Sequence, residues 1–109
     1  MKRDAVYIFN EESLQYHFHD KHPFRQERLV MTHDLMRALG TLDDESIITA
    51  AAADIEQIAR VHTLEYIQAV SELSAAHPSA ESLAKADRYG LGEGDTPYFE
   101  NMHRYAAIA

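Results

Sequence analysis

Short apolar runs near the N-terminus alternate with polar stretches, and two of these runs predict β-strands. "AVYIF" (5–9) is continuous and rich in β-branched and aromatic residues, which is typical of a buried strand in a parallel sheet. "SIIT" (46–49) is a second short run of this kind. Residues 10–23 have neither a helical nor a strand period, so this segment is predicted to be a long loop.

Helical spacing begins after Pro23 and returns several times in the second half of the chain. Gly40 stands where a C-terminal cap of the first predicted helix belongs. Asp54 followed by Gln57 predicts a capping box at the start of a short helix. Thr63 is expected to cap the next helix. The predicted apolar faces are Leu29, Thr32, Leu35, Met36 and Leu39 for the first helix, and Leu64, Ile67, Val70, Leu73 and Ser74 for the third.

The last third of the chain is predicted to form a loop followed by one helix. Residues 77–95 are rich in Pro, Ser, Gly and charged residues, a composition that favours irregular structure. Pro97 behind Thr96 predicts the first turn of a final helix. That helix is expected to continue to Ala109, because no Gly, Pro or cationic stop signal interrupts it.

The order strand, loop, helix, strand, helices indicates an α/β fold. Two strands are too few for a parallel sheet, which needs neighbouring strands and helices on both faces. We therefore expect residues 1–109 to be the N-terminal portion of a larger domain.

Composition and charge exclude several classes of function. The chain has 18 acidic and 10 basic residues and a formal charge of -8. No cluster of Lys and Arg is dense enough to form the basic stripe that nucleic-acid binding needs. Cysteine is absent, so disulfides and thiolate metal sites are excluded.

Membrane insertion and export are not expected either. The longest apolar run, residues 47–53, is far too short to span a bilayer. Lys2 and Arg3 precede an apolar run, but the run is short and no small-residue cleavage site follows. We expect a cytoplasmic protein.

The stretch "HFHDKHPFRQER" (17–28) contains three histidines and raises the question of a metal site. Zinc needs three or four converging ligands, whereas His17, His19 and His22 lie on a predicted loop without the helical spacing of a zinc protease. Histidines that are solvated or bonded to nearby backbone are the favoured interpretation. The other four, His33, His62, His77 and His103, are expected to be packing or surface residues.

Four blocks of the sequence together resemble one known family. These are "VYIF" (6–9), "YHFHDKHPFRQERLVMTHDLM" (16–36), "VHTLEYIQAV" (61–70) and "YGLGEGDTPYF" (89–99). In this order they are similar to the start of the histone deacetylase superfamily, especially to the bacterial acetoin-utilisation deacetylases.

The resemblance implies an arginase/deacetylase-type three-layer α/β fold with a parallel sheet. It also implies hydrolysis of the amide of N-acetyl-lysine, in an acetylated protein, or of a related small acetylated amine. In the family a zinc ion polarises the acetyl carbonyl and activates a water, while a His pair and a Tyr assist. The family places the zinc ligands and these catalytic residues downstream of residue 109. We therefore expect no catalytic residue and no bound zinc in this chain alone.

The resemblance also assigns residues of the histidine-rich stretch to the wall of a substrate channel. By position, His22 and Pro23 are expected at the rim of the active site. Phe18 and Phe24 are expected to line the inner cavity below the acetyl group, and Arg28 to lie in that cavity near the exit for acetate. The alternative for Arg28 is a surface position near a helix N-terminus, in an i,i+4 pair.

Asp95 is the remaining residue that the resemblance assigns. The matching aspartate of the family lies at the mouth of the pocket and accepts hydrogen bonds from the substrate backbone. A carboxylate suits this role because it accepts two N–H groups at once. The alternative is that Asp95 helps to cap the helix predicted to begin at Pro97.

Two functions therefore remain open. In the first, the chain is the N-terminal part of a zinc-dependent deacetylase and contributes rim and cavity walls. In the second, it is a small binding or regulatory module that catalyses nothing.

Overall fold

Two short strands pair in parallel at the N-terminal end of the structure. The computed structural model describes residues 5–109. Lys2 and Arg3, which were considered above as part of an export signal, lie outside this range. Strand β1 (Tyr7–Ile8) runs parallel to β2 (Ile47–Ile48). The backbone N–H of Phe9 extends the pairing by donating to the Ile48 carbonyl at 3.0 Å. The parallel pairing and the α/β class are confirmed. The predicted burial of the first strand was wrong, since Ile8 is 64% exposed, and both strands are shorter than the apolar runs.

The segment that follows β1 is more ordered than the predicted loop. Residues Glu11–Gln15 form a 3₁₀ turn, and the Asn10 side chain caps this turn by accepting from the Glu12 N–H. The same Asn10 side chain donates to the Ala50 carbonyl at 2.9 Å. The loop prediction was wrong here because one Asn satisfies a local turn and a distant backbone group together.

Helix α1 (Glu27–Ala38) connects the strands and ends as predicted. Gly40 has a φ of 71°, a left-handed conformation that glycine adopts without steric cost. The Gly40 N–H donates to the Arg37 carbonyl, and the Thr41 N–H donates to the Met36 carbonyl, each at 3.0 Å. These two bonds are those of a Schellman cap.

The predicted apolar face of α1 is only partly covered. No residue of α1 is fully buried, and the side chains of Leu35 and Leu39 are 59% and 68% exposed. The contact with the sheet comes instead from His33, whose ring stacks on Phe9 at 4.5 Å and lies 5.7 Å from Tyr7. An amphipathic pattern says which residues favour burial, but not whether a partner is present.

The next two helices begin at the predicted caps. Helix α2 (Ile55–Ile58) starts with a complete capping box between Asp54 and Gln57. Helix α3 (Leu64–Leu73) starts at Thr63, whose side chain accepts from the Tyr66 N–H.

The predicted loop 77–95 contains a helix that the sequence reading missed. Helix α4 (Ala80–Ala86) follows Ser79, whose hydroxyl accepts from the Ser82 N–H. Lys85 pairs with Glu81 one turn earlier at 3.3 Å. The prediction was wrong because it gave most weight to the Pro and Gly residues at the two ends of the segment. The centre of the segment is rich in Ala and follows a Ser N-cap, and both features favour a helix.

The final helix begins later than predicted. Helix α5 spans Met102–Ile108, and no helix begins at Pro97. Its N-terminus is held by Ser74, the C-cap residue of α3. The Ser74 carbonyl accepts the N–H of Asn101 at 2.8 Å, and the Ser74 hydroxyl accepts the N–H of His103 at 2.9 Å. Thr96 is not a cap, since its hydroxyl donates to the Gly90 carbonyl.

The hydrophobic core lies where α3, α4 and α5 meet. Leu73, Ala86 and Met102 are 1%, 4% and 4% exposed and form one cluster. Tyr16, Val70, Leu91, Tyr98 and Phe99 pack around this cluster. The radius of gyration is 16.7 Å, above the roughly 13 Å of a compact domain of this length. None of the described helices is long and apolar enough to cross a bilayer, and the cytoplasmic location stays a prediction.

Candidate functional site

His22 is the centre of the candidate site. Its side chain is buried, with 6% exposure. The ring atom Nδ1 accepts the backbone N–H of Phe24 at 3.0 Å, and Nε2 lies 2.9 Å from the main-chain carbonyl oxygen of Asp95. Because Nδ1 accepts, the proton is on Nε2 and is donated to that carbonyl. His22 therefore joins two loops that are 73 positions apart in sequence.

An aromatic cluster surrounds this histidine. The Phe18 ring lies 4.3 Å from the His22 ring and meets the Phe24 ring edge-on at 5.9 Å. Tyr16 and Phe99 also meet Phe18 edge-on, at 5.2 and 5.6 Å. Such contacts hold rings in defined positions. The structure thus brings Phe18, His22 and Phe24 together, with Pro23 exposed between two of them.

Tyr16 and Phe99 are members of the cluster that the sequence reading did not select. Both also pack against the hydrophobic core, so the candidate site rests on the core. Burial first, and the nearby Tyr66 second, raises the pKa of the Tyr16 hydroxyl above its ordinary value. Tyr16 therefore stays neutral at physiological pH. The available sequence signal for both residues was their place in the blocks that carry the resemblance, 16–36 for Tyr16 and 89–99 for Phe99.

Arg28 lies beside this cluster at the second position of α1. Its guanidinium carbon is 4.6 Å from the centre of the Phe24 ring, within the range of a cation–π contact. Arg28 is exposed, as the surface alternative expects, but its contact with Phe24 is not a helical i,i+4 pair, because Phe24 precedes α1. Within residues 5–109, no ion pair connects Arg28 to a carboxylate.

Arg25, the neighbouring cation, is already neutralised. Its guanidinium contacts the Glu27 carboxylate at 2.9 and 3.4 Å and donates to the Asp20 carbonyl at 3.2 Å. The hydrogen bond from Arg25 lowers the pKa of Glu27 to about 2, so Glu27 is ionised at all physiological pH values. Of the two arginines, Arg28 is the one that retains a charge available to an anion.

Asp95 lies on the loop that is hydrogen-bonded to His22. Its carbonyl is held by His22, while the residue as a whole is exposed. The capping alternative was wrong, because α5 begins at Met102 and the residue at its N-cap is Asn101. The carboxylate is therefore available to a ligand.

The described residues do not fit a metal site. No group of three His, Asp or Glu side chains between residues 5 and 109 is arranged to hold a metal ion. His17 pairs with Asp20 at 3.3 Å, and the rings of His19 and His22 are 5.4 Å apart. Since Nδ1 and Nε2 of His22 are both bonded to backbone, His22 has no nitrogen left for a metal.

We expect the 109-residue chain to bind no stoichiometric zinc at micromolar concentration. The reason is that His17, His19 and His22 do not converge on one point, whereas tight zinc binding needs three or four converging ligands. Isothermal titration calorimetry measures this directly. A single saturable site that disappears in His17→Ala or His19→Ala would contradict the expectation, and His77→Ala serves as the control variant.

A large apolar cavity lies elsewhere in the molecule. It has a volume of about 630 Å³ and lies between Ile8 of β1 and the helices α2, α3 and α5. Its lining is mainly apolar and includes Ile8, Ile58, Val70 and Ala107. No residue of the candidate site lines this cavity.

Comparisons with known proteins support the resemblance. A family model described as the histone deacetylase domain matches residues 22–109. The acetoin utilization protein AcuC of Bacillus subtilis (strain 168) is 41% identical over 106 residues, which cover 97% of this chain and 27% of the relative. AcuC of Staphylococcus xylosus is 36% identical over 107 residues, covering 98% of this chain and 27% of that protein.

A third relative matches this chain with similar identity and coverage. AcuC of Staphylococcus aureus (strain MSSA476) is 33% identical over 103 residues, covering 94% of this chain and 26% of that protein. The chain thus spans about a quarter of the length of the curated relatives that it matches.

Proposed function

We propose, because the chain belongs to the histone deacetylase family, that it forms the channel rim and inner cavity wall of a zinc-dependent deacetylase. The reaction is hydrolysis of the amide of N-acetyl-lysine or of a related acetylated amine. The corresponding fold is the three-layer α/β fold of arginase and the deacetylases, of which β1 and β2 are two strands. Zinc, when bound by other parts of such an enzyme, supplies Lewis-acid chemistry.

The single observation that carries the proposal is the hydrogen bond between His22 and the Asp95 carbonyl at 2.9 Å. It brings together two loops that the family resemblance assigns to one substrate channel. The aromatic rings of Phe18 and Phe24 lie beside this bond. Apolar rings suit the methylene chain and methyl group of an acetyl-lysine side chain, which carry no charge.

Asp95 is proposed to hold the substrate backbone at the rim. Its exposed carboxylate can accept two N–H groups of a peptide, which fixes the peptide's orientation as well as its position. A small acetylated amine without backbone amides cannot use this contact. Asp95 would therefore favour peptide substrates over small amines.

Arg28 is proposed to attract the acetate product. Acetate is an anion, and Arg28 carries a charge that no carboxylate within residues 5–109 neutralises. The second position of a helix is an unfavourable place for a cation, because the N-terminus already carries partial positive charge. The same field favours an anion. A charge that costs stability here is consistent with a role in binding acetate.

The alternative is a small non-catalytic binding or regulatory module. One observation favours it, namely the apolar cavity of about 630 Å³ beside β1 and α5. That volume is in the range of ligand pockets. The alternative needs no contribution from Asp95 or Arg28.

A chimera tests the proposed function. In it, this chain replaces the matching segment of the Bacillus subtilis relative, with which it shares 41% identity over 106 residues. We expect the purified chimera to release acetate from an acetyl-lysine peptide and to lose this activity on zinc chelation. The 109-residue chain alone is expected to release none, because the family's catalytic residues are not among its own.

The unmodified relative is the positive control for the chimera. If the relative is active and a folded chimera is not, the proposed function is contradicted. Acetate release by the 109-residue chain that survives repurification and stops on chelation would also contradict it.

A further inference from the structure

We propose that His22 is a positioning residue that holds the Asp95 loop at the rim and so presents the Asp95 carboxylate to the substrate backbone. The role given to the carboxylate rests on the proposed function. The bond between the two loops rests on the geometry alone, and the two parts are tested separately.

The bonding of the imidazole allows one protonation state. Phe24 N–H donates to Nδ1 at 3.0 Å, which uses the lone pair of that atom, and Nε2–H donates to the Asp95 carbonyl at 2.9 Å. The ring is buried, so each nitrogen depends on its single backbone partner. A neutral imidazole with its proton on Nε2 satisfies both.

The loop that carries Asp95 is fixed at its start by Leu91, which packs against the hydrophobic core, and its tip, residues 92–95, has few other contacts. Gly90, Gly92 and Gly94 have φ values of 69°, 137° and 84°, and such glycines allow many backbone conformations. The internal bonds of the loop are local: Gly92 N–H donates to the Thr96 carbonyl at 3.0 Å, and the Thr96 hydroxyl donates back to Gly90.

Within the described part of the chain, His22 donates the one hydrogen bond that reaches residues 91–95 from outside the segment 86–96. Removing this bond should therefore loosen the loop. The Asp95 carboxylate would then be presented less well, although the carboxylate itself is unchanged.

Two substitutions separate the two bonds of the ring. In His22→Gln, the side-chain amide nitrogen takes the place of Nε2 and can still donate to the Asp95 carbonyl. In His22→Asn, the side-chain oxygen takes the place of Nδ1 and can still accept from Phe24, but the side chain no longer reaches Asp95. Both variants remove the ring, so the loss of packing is common to them.

The bond between the loops is tested on the 109-residue chain. Nitrogen-15 NMR should find His22 protonated on Nε2 and bare on Nδ1. We expect hydrogen exchange of the Gly92 amide to rise about fivefold in His22→Asn and to stay within about twofold in His22→Gln. Unchanged exchange in His22→Asn, or an equal rise in both variants, would overturn the proposal whatever their melting temperatures.

The effect on substrate is tested in the chimera. We expect His22→Asn to raise KM for an acetyl-lysine peptide about fivefold at unchanged kcat, and His22→Gln to restore it. KM for an acetylated alkylamine without backbone amides should change by the same small factor in both variants, because both lose the ring that packs against Phe18. An equal rise in KM for both substrates would refute a positioning role.

The two proposals fail in different ways. An inactive unmodified chimera contradicts the proposed function, and the NMR and exchange measurements still decide whether His22 joins the loops. An active chimera in which His22→Asn leaves KM for the peptide unchanged contradicts the positioning role alone.

Discussion

Replacing Asp95 by Asn in the chimera is expected to lower kcat/KM for an acetyl-lysine peptide at least about tenfold. The carboxylate can accept two charge-assisted hydrogen bonds, each of which contributes about 1.5–3 kcal/mol. Asn keeps the shape of the side chain but presents an N–H₂ group to one of the two substrate donors. Steady-state kinetics with the peptide measures the effect.

The matched control is Glu93→Gln, which makes the same change from carboxylate to amide two positions away. Glu93 is also exposed and has no role in the proposed function. The kcat/KM of the Glu93→Gln chimera for the peptide should therefore be unchanged. Activity on an acetylated alkylamine should be unaffected by either substitution. Equal peptide kinetics in the Asp95→Asn and Glu93→Gln variants would remove Asp95 from the substrate site.

Replacing Leu73 by Ala is expected to destabilise the chain by about 2–5 kcal/mol. Leu73 is 1% exposed and joins the core residues of α4 and α5, so a smaller side chain leaves a cavity where three helices meet. Whole domains are stable by only about 5–15 kcal/mol. The variant should therefore be unfolded in a large fraction of molecules under mild conditions. Urea unfolding followed by circular dichroism measures the change.

Leu64→Ala is the control on the same helix. Leu64 is the first residue of α3 and is 66% exposed, so its replacement should cost less than about 1 kcal/mol. Similar costs for the two variants would mean that the core is not located at the junction of α3, α4 and α5. The candidate site would be affected as well, because Tyr16 and Phe99 connect it to this core.

The helix boundaries that could be predicted are those fixed by residues close in sequence. The capping box of Asp54 and Gln57 and the cap at Thr63 need only neighbours three positions away. Gly40 likewise closes α1 onto residues of the preceding turn. The start of α5 could not be predicted in this way, because its first N–H groups bond to Ser74.

The candidate site shows the same division between local and distant contacts. Its residues were selected by resemblance, and the contact of Arg28 with Phe24 is a local one between residues four positions apart. The bond from His22 to Asp95 joins residues with no shared local pattern. Nothing in the sequence indicated that the main-chain carbonyl of Asp95, rather than its carboxylate, meets the histidine.

The incompletely covered helix α1 has a consequence for how the chain responds to temperature. Leu35 and Leu39 are already largely in contact with water in the folded state, so unfolding exposes them little further. The heat capacity increment of unfolding arises mainly from newly exposed apolar surface. For this chain it should be smaller than is usual for its length. A small increment flattens the curve of stability against temperature, so the folded state should lose little stability on cooling.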